Sequence, residues 1–328
     1  MQYRKLGMSG MNISELSLGT WQVGGKWGSG FDDKLAEEII HSAIDQGINF
    51  IDTADIYEAG KSENAVGRVV RSRSEEIYVA TKCGRKLNPH VSEFYTPQAM
   101  REFVESSLKN TGLERLDLIQ LHCPPTEVLY RPEIFEEFQK MQDEGKIRSL
   151  GVSVEKVEEA LKAIEFDNVA AIQIIYNVFR QRPNERFFQL AQEKNVGIIV
   201  RVPLASGLLT GLYSKDTHFE KEDHRNFNRD GAGFDKGETF SGVPYELGID
   251  VVSDIRKEFP DHDNFAPWAL RWILDNPLVS TVIPGASRVD QVNSNMKALS
   301  LPSLTMEQKL HIDQLYEKYI KKHVHHLW

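Results

Sequence analysis

Cysteine is scarce in this chain: Cys83 and Cys123 are the only two in 328 residues. Two thiols make no disulfide framework, and their scarcity fits a reducing compartment. No apolar run approaches the roughly 18 residues that read as a membrane span. Met1 leads into Gln-Tyr-Arg-Lys-Leu, without the apolar stretch of a secretory signal. Basic charge is in deficit, with 39 Lys and Arg against 48 Asp and Glu and a net charge of -9. That balance argues against a protein that holds nucleic acid through a basic field. No Pro/Gly/Ser-rich linker or low-complexity tract divides the chain. These absences predict a soluble cytoplasmic protein, one domain over residues 1–328, with no membrane or nucleic-acid partner.

What is present is enough apolar mass, 41% of residues, for a large core. The organising pattern is a repeat. Strand-like runs fall at 48–53, 77–82, 116–121, 147–152, 170–175 and 196–202, after a first one ending at Leu18-Gly19-Thr20-Trp21. Helical spacing fills the gaps at 32–46, 63–71, 97–110, 133–144, 155–164 and 185–194, with Gly47, Gly112, Gly145 and Gly197 where helices should stop. An eighth strand at 280–283 follows a long excursion with helices near 245–258 and 264–275. Helices are also expected at 289–298 and 306–322. Alternating strands and helices imply a parallel sheet, and eight repeats suit a closed barrel. The fold class is therefore α/β, a single (β/α)8 TIM barrel. Residues 3–6 and 13–17 add an N-terminal hairpin capping one end. Residues 206–245 form a long loop after strand 7, rich in charge, Gly and Asn, and read as a mobile lid or substrate loop.

In such a barrel the chemistry sits at the C-terminal rim. Three strand ends deliver a set suited to proton transfer at a carbonyl there: Asp52 with Tyr57 just beyond it, Lys82, and His122. A phenol titrates near 10, and an adjacent ammonium favours its ionised form. Asp52 can hold Lys82 charged, and His122 can orient the substrate oxygen. The set lacks a hydride, so a reduced nicotinamide is implied. A strand-end ion pair or histidine is ordinarily structural; the case rests on all four sharing one rim.

The pattern resembles the aldo-keto reductase superfamily. The matching stretches are Leu-Gly-Thr-Trp at 18–21, the Asp52–Tyr57 segment, Thr81-Lys82, Leu121-His122, Gly151-Val152-Ser153, Gln173 with Tyr176-Asn177, Gly-Leu-Leu-Thr-Gly at 207–211, and Ile-Pro-Gly-Ala-Ser-Arg at 283–288. The branch looks like the bacterial NADPH-dependent one. This resemblance implies that Tyr57 is the general acid, supported by Lys82, Asp52 and His122, and that NADPH/NADP+ is the cofactor. Gly19, Thr20 and Trp21 would lie near the nicotinamide, and Ser153 and Gln173 would bind its carboxamide. Leu204, Ser206 and Leu208 would line the pyrophosphate, and Gly285, Ser287, Arg288, Gln291 and Asn295 would hold the adenosine end. Opening a helix after the eighth strand, the 283–288 segment also offers a phosphate site, and Arg288 favours the 2′-phosphate of NADPH. The alternative for Ser287 and Arg288 is an ordinary helix cap.

Two positions depart from the family pattern. Val154 stands where Asn follows Gly-x-Ser. Arg201 stands where an aromatic residue stacks on the nicotinamide, either to stack in its place or to pair with the lid or a cofactor phosphate. The expected activity is reduction of an aldehyde or ketone. Oxidation of a sugar or polyol with NADP+ and a non-catalytic cofactor-sensing subunit are the alternatives. A small carbonyl compound is the expected partner, and a monomer the default.

Other signals are set aside. The glycines at 24, 25, 28 and 30 do not fit Gly-x-Gly-x-x-Gly, so that segment reads as a loop over the pocket, with Trp21 and Trp27 as substrate-facing aromatics. His323, His325 and His326, or Glu222-Asp223-His224, match no closed zinc set, and no metal is expected. Strand alternation aims Cys83 and Cys123 outward, as buried small residues.

Overall fold

The computed structural model describes residues 1–25, 30–259 and 264–328. The expectation for Trp27, and the glycine at 28, lie outside them. Eight parallel strands run in sequence order: β3 (Leu18–Gly19), β4 (Phe50–Asp52), β5 (Tyr78–Cys83), β6 (Leu116–His122), β7 (Ile147–Ser153), β8 (Val169–Ile175), β9 (Gly197–Arg201) and β10 (Thr281–Val282). The first and last meet through parallel bridges Leu16–Val282 and Gly19–Gly285, with Ser17 N–H donating to the Val282 carbonyl at 2.9 Å. The barrel is thereby closed. The hairpin β1 (Tyr3–Lys5) and β2 (Asn12–Ser14) is antiparallel.

Between the strands run α1 (Asp33–Asp45), α2 (Lys61–Ser72), α3 (Pro97–Thr111), α4 (Pro132–Asp143), α5 (Val157–Ala163) and α6 (Phe187–Glu193). Each forms for a local reason. In α1 the Asp32 carboxylate accepts from the N–H groups of Lys34 and Leu35, Ala36, Ile39, Ile40, Ala43 and Ile44 form the buried face, and Gly47 follows at φ 90°. In α3, Thr96 caps, Pro97 opens and left-handed Gly112 closes.

The period of two along each strand sorts two cores. Outward residues such as Ile51, Val79, Ile119 and Ile172 pack against the helices. Inward ones, among them Phe50, Ala80, Leu118 and Ile199, fill the barrel and meet Leu6, Met11 and Ile13 of the hairpin region. The hairpin is thus a plug at the end opposite the strand C-termini. At the other end, inward positions change from apolar to polar: Asp52, Lys82, Gln120, His122, Ser153, Gln173 and Arg201, all buried. That change marks the site.

After β9 the chain makes tight turns at Ala205–Thr210, Lys236–Glu238 and Phe240–Gly242 around α7 (His224–Phe227), then continues into α8 (Tyr245–Arg256) and α9 (Ala266–Leu274). Where the sequence reads as a loose loop, the segment has an interior of its own, with His224, Asn228, Thr239, Phe240 and Ser241 buried. Past β10 come α10 (Val289–Met296), α11 (Met306–Leu315) and α12 (Lys321–Val324). The helix expected over 306–322 is interrupted by a π-turn at Tyr316–Ile320. No described helix is long and apolar enough to cross a membrane.

Candidate active site

Strand register brings the four rim residues together. Asp52 ends β4, opposite Ala80 of β5; Lys82 lies opposite Gln120 of β6; and His122 closes β6 opposite Ser153 of β7. Lys82 Nζ donates to Asp52 Oδ1 at 2.5 Å, to the Thr53 carbonyl at 2.8 Å and to the Tyr57 hydroxyl at 3.3 Å. All three of its donors are used. Tyr57 reaches this point because Glu58 and Ala59 take left-handed conformations, φ 48° and 55°, immediately after it. Non-glycine residues pay for that geometry, and here it turns the loop back into α2. The Tyr57 ring stands edge-on to His122, centroids 6.0 Å apart.

Electrostatics follow from burial. Desolvation works against the Lys82 ammonium, but Asp52 and then Tyr57 outweigh it and raise its pKa. For Tyr57 desolvation wins over the pull of Lys82, so the phenol is held above its usual value and keeps its proton at neutral pH. Burial, then Arg85, Lys82 and Arg201, push the His122 imidazole well below its ordinary value, so the ring is neutral. Its Nδ1 has no hydrogen-bond partner among the described residues. A buried polar atom without a partner is costly, and at a barrel mouth it is a natural place for a ligand.

Asp52 is held from behind by a residue the sequence reading passed over. Gln120 donates to Asp52 Oδ2 at 3.1 Å, and Gln173 donates to the same oxygen at 2.8 Å and to Gln120 Oε1 at 3.2 Å. Gln120 could have been found, since it lies two residues before His122 on the same inward face. Both N–H groups of Gln173 are spent on this network, leaving its carbonyl oxygen for the expected carboxamide contact.

The nicotinamide-side candidates form a ring around the four. Thr20 donates its N–H and its hydroxyl to the Asp52 carbonyl at 2.9 and 3.0 Å, next to Gly19. The Trp21 ring lies 4.9 Å from His224 and 6.1 Å from Phe234 of the post-β9 segment, which therefore covers it. Ser153 Oγ is 3.7 Å from Cys123 Sγ. Cys83 points outward as alternation requires, into the helix-side core. Cys123 does not: φ is 46° just past the end of β6, and the reversal aims its thiol at Ser153 and Arg201.

Arg201 is the centre of a buried charge cluster. Its guanidinium is 2.8 Å from Glu155 and 3.4 Å from Glu238, donates to the Val154 carbonyl at 3.1 Å, and lies 3.6 Å from Cys123 Sγ. Arg85 pairs with the other side of Glu238 at 2.8 Å. Burial opposes ionisation of Glu238, but Arg85 and Arg201 overcome it and lower its pKa; burial raises that of Glu155. Of the two roles open to Arg201 from sequence, pairing with the lid is met, because Glu238 belongs to residues 206–245. No periodicity marks Glu238, so only the folded loop reveals it. Val202, next to Arg201, is β-branched yet sits at φ 49°, an outlier held by Asn177, whose Nδ2 donates to its carbonyl at 2.9 Å. The oxygens of Glu155 and Glu238 and the sulfur of Cys123 lie within 4.8 Å of one another, a spacing open to a metal ion. The two guanidiniums already supply the positive charge such a site would need.

The phosphate-side candidates divide. Ser206 Oγ donates to the Glu238 carbonyl and accepts from Phe240 N–H, both at 3.1 Å, so it ties the loop down. The Leu208 side chain is in the core, and Leu204 packs partly buried against it. Gly285 and Arg288 are exposed and Asn295 is buried. Gln291 Oε1 accepts from Ser287 N–H at 2.7 Å and from its hydroxyl at 3.1 Å, tying the approach to α10 back onto the helix. The Arg288 carbonyl accepts from Gln291 N–H at 3.1 Å, while its side chain is exposed and makes no capping hydrogen bond.

The barrel agrees with what the chain is similar to. The profile described as "Aldo/keto reductase family" matches residues 15–317. A protein described as a probable voltage-gated potassium channel subunit beta of Arabidopsis thaliana is 30% identical over 324 residues, 93% of each chain. Among solved structures, the holo form of aldo-keto reductase AKR11C1 from Bacillus halodurans superposes with a TM-score of 0.77 at 28% identity, covering 96% of each chain. Glycerol dehydrogenase AKR11B4 from Gluconobacter oxydans does so at 0.76 and 30%, covering 97% of this chain and 96% of its own. The chain belongs to the aldo/keto reductase family.

Proposed function

We propose that this protein reduces an aldehyde or ketone to an alcohol with NADPH, and that Tyr57 supplies the proton. The observation that carries this reading is the Lys82 ammonium between the Asp52 carboxylate and the Tyr57 hydroxyl, 2.5 and 3.3 Å away. A general acid must keep its proton until the substrate oxygen becomes basic, and the raised pKa of Tyr57 ensures that. As the proton leaves, the phenolate meets the ammonium at once, with no reorganisation of charge. Lys82 cannot give up its own place, because Asp52 is anchored by Gln120 and Gln173. His122, neutral and with Nδ1 unpaired among the described residues, can share its one N–H with the carbonyl oxygen and align it.

A nicotinamide bound at this rim would supply the hydride. Residues that fit its holding are Ser153 and the Gln173 carbonyl on the ring side and Arg288 on the adenosine side. Arg288 is an exposed guanidinium at the start of α10, without an ion pair among the described residues, and is the donor type suited to a 2′-phosphate. Of the other candidates, Gly19, Thr20 and Trp21 would flank the ring, and Gly285 and Ser287 would lie beside Arg288, whereas the Leu208 side chain is taken up by the core. Arg201, fixed by Glu155 and Glu238, presents a flat cation where the family pattern has an aromatic ring. The glycerol dehydrogenase relative favours a second reading, oxidation of a polyol with NADP+ at the same residues.

The test is consumption of NADPH, followed by its absorbance, with a reactive aromatic aldehyde. The reading requires turnover by the wild type and its collapse in Tyr57→Phe. A wild type that binds NADPH but turns over no aldehyde, ketone or polyol would return the protein to a non-catalytic cofactor-sensing role; a relative described as a channel subunit keeps a non-catalytic role in view.

A further inference from the structure

The segment that carries Glu238 is pinned from below by one side chain far away in sequence. Trp328 is 3% exposed. Its indole Nε1 donates to Asp235 Oδ1 at 2.9 Å, and the same oxygen accepts from Gly237 N–H at 2.7 Å. One carboxylate oxygen therefore staples the Lys236–Glu238 turn to the indole. Glu238 closes the turn by donating its N–H to the Asp235 carbonyl at 3.0 Å.

The ring is enclosed on its other sides. Arg180 lies over it at 4.3 Å and Lys236 at 5.7 Å, and Arg182 donates to the Trp328 main-chain oxygen at 2.8 Å. The loop passes so close that only glycine fits at two points. A Cβ on Gly237 would lie 2.7 Å from Cε2 of the indole, and one on Gly242 would lie 2.5 Å from Cη2. Gly242 also needs its left-handed φ of 77°. Both turns that flank Glu238 are thus shaped around Trp328.

We propose that Trp328 is a positioning residue: by fixing the 235–242 turns it holds Glu238 between Arg85 and Arg201, and so sets the charge at the cofactor-ring site. The consequence for binding rests on the proposed function; the consequence for the loop does not. Without Trp328 the turns lose their support, Glu238 leaves Arg201, and the guanidinium at the ring site keeps Glu155 alone of its two carboxylates. A cationic oxidised ring is then penalised more than a neutral reduced one.

The experiment compares Trp328→Ala, Trp328→Phe, Asp235→Asn and Glu238→Gln in the full chain. Calorimetry gives NADPH and NADP+ affinities, and hydrogen exchange reports the amides of residues 236–242. Trp328→Ala is expected to raise the preference for NADPH over NADP+ by about tenfold, in the same direction as Glu238→Gln. The double variant should go no further than Glu238→Gln alone. Trp328→Phe, which keeps a ring but loses the Nε1 bond, should fall between, while Asp235→Asn, whose amide oxygen still accepts both bonds, should stay near wild type. Additive effects of Trp328→Ala and Glu238→Gln would overturn the proposal, as would a lowered Tm with unchanged cofactor preference. If the wild type binds neither nucleotide, the functional reading fails and exchange decides alone. Faster exchange at 236–242 in Trp328→Ala would then support the anchor, and unchanged protection there would refute it.

Discussion

Lys82 Nζ lies 2.5 Å from Asp52 Oδ1, with neither side chain more than 3% exposed. Two charges this deep are held by each other. Removing one partner of a buried pair strands the other and typically costs about 3–5 kcal/mol, more than the pair contributes over an apolar replacement. Lys82→Met is therefore expected to destabilise the fold by about that amount, read as a lower urea midpoint. Adding Asp52→Leu should recover part of the loss, because the stranded carboxylate disappears. A double variant weaker than Lys82→Met would show that Asp52 is held mainly by Gln120 and Gln173.

Tyr57→Phe removes one oxygen and leaves the loop geometry, which depends on Glu58 and Ala59 rather than on the hydroxyl. Loss of a positioned general acid costs about 100- to 10,000-fold in rate. We expect kcat for aldehyde reduction to fall within that range while NADPH affinity measured by calorimetry stays unchanged. A parallel loss of affinity would mean that the phenol binds the cofactor instead of protonating its product.

Much of this was legible in the sequence because strand alternation and rim placement are local rules. Asp52, Lys82 and His122 fall on inward positions at three strand ends, and register alone brings them together. Cys123 escaped the same rule because one residue at positive φ reverses its direction, and nothing in its neighbours announces that. The partners of Arg201 escaped for a different reason. Glu155 follows β7, while Glu238 lies 37 residues along the chain from Arg201 in a segment with no periodicity, so their meeting is set by tertiary packing. The interior of that segment was equally hidden, since Asn, Asp and Gly read as open loop whether or not they bond inward.

Arg201→Phe restores the aromatic residue of the family pattern, but it also leaves Glu155 and Glu238 without their shared cation. The NADPH preference over NADP+ should fall, since a negative carboxylate now faces the ring. Arg201→Phe combined with Glu238→Gln should bring it back towards an uncharged baseline. Dissociation constants for both nucleotides test this; a ratio indifferent to Arg201 would remove the residue from the ring site.

Arg288 is exposed at the start of α10 and has no ion pair among the described residues, so its loss should cost the fold little. A charge-assisted contact to phosphate is worth about 1.5–3 kcal/mol. Arg288→Met is accordingly expected to weaken NADPH by about tenfold or more while leaving NADH within about twofold. Equal losses for both nucleotides would assign Arg288 to the pyrophosphate or the adenine instead.

Asp55, two residues before Tyr57, tests the rim by pH. It is 1% exposed, and neither carboxylate oxygen has a hydrogen-bond partner among the described residues. Burial raises its pKa from 3.8 to about 7; Glu63 adds to the rise, while Lys86 and Lys82 oppose it. The folded protein therefore keeps a proton that the unfolded chain has released. The stability contributed by the neutral carboxyl is present in full below the unfolded value. It is lost as pH rises towards the folded one, at up to about 1.4 kcal/mol per pH unit, and stays lost above it. Asn imitates the neutral form, so Asp55→Asn should match wild type in thermal stability near pH 4 and exceed it by a few kcal/mol at pH 8. Identical pH profiles for the two proteins would mean that Asp55 is ionised in the fold and that a cation, Lys86 the nearest in effect, has closed on it.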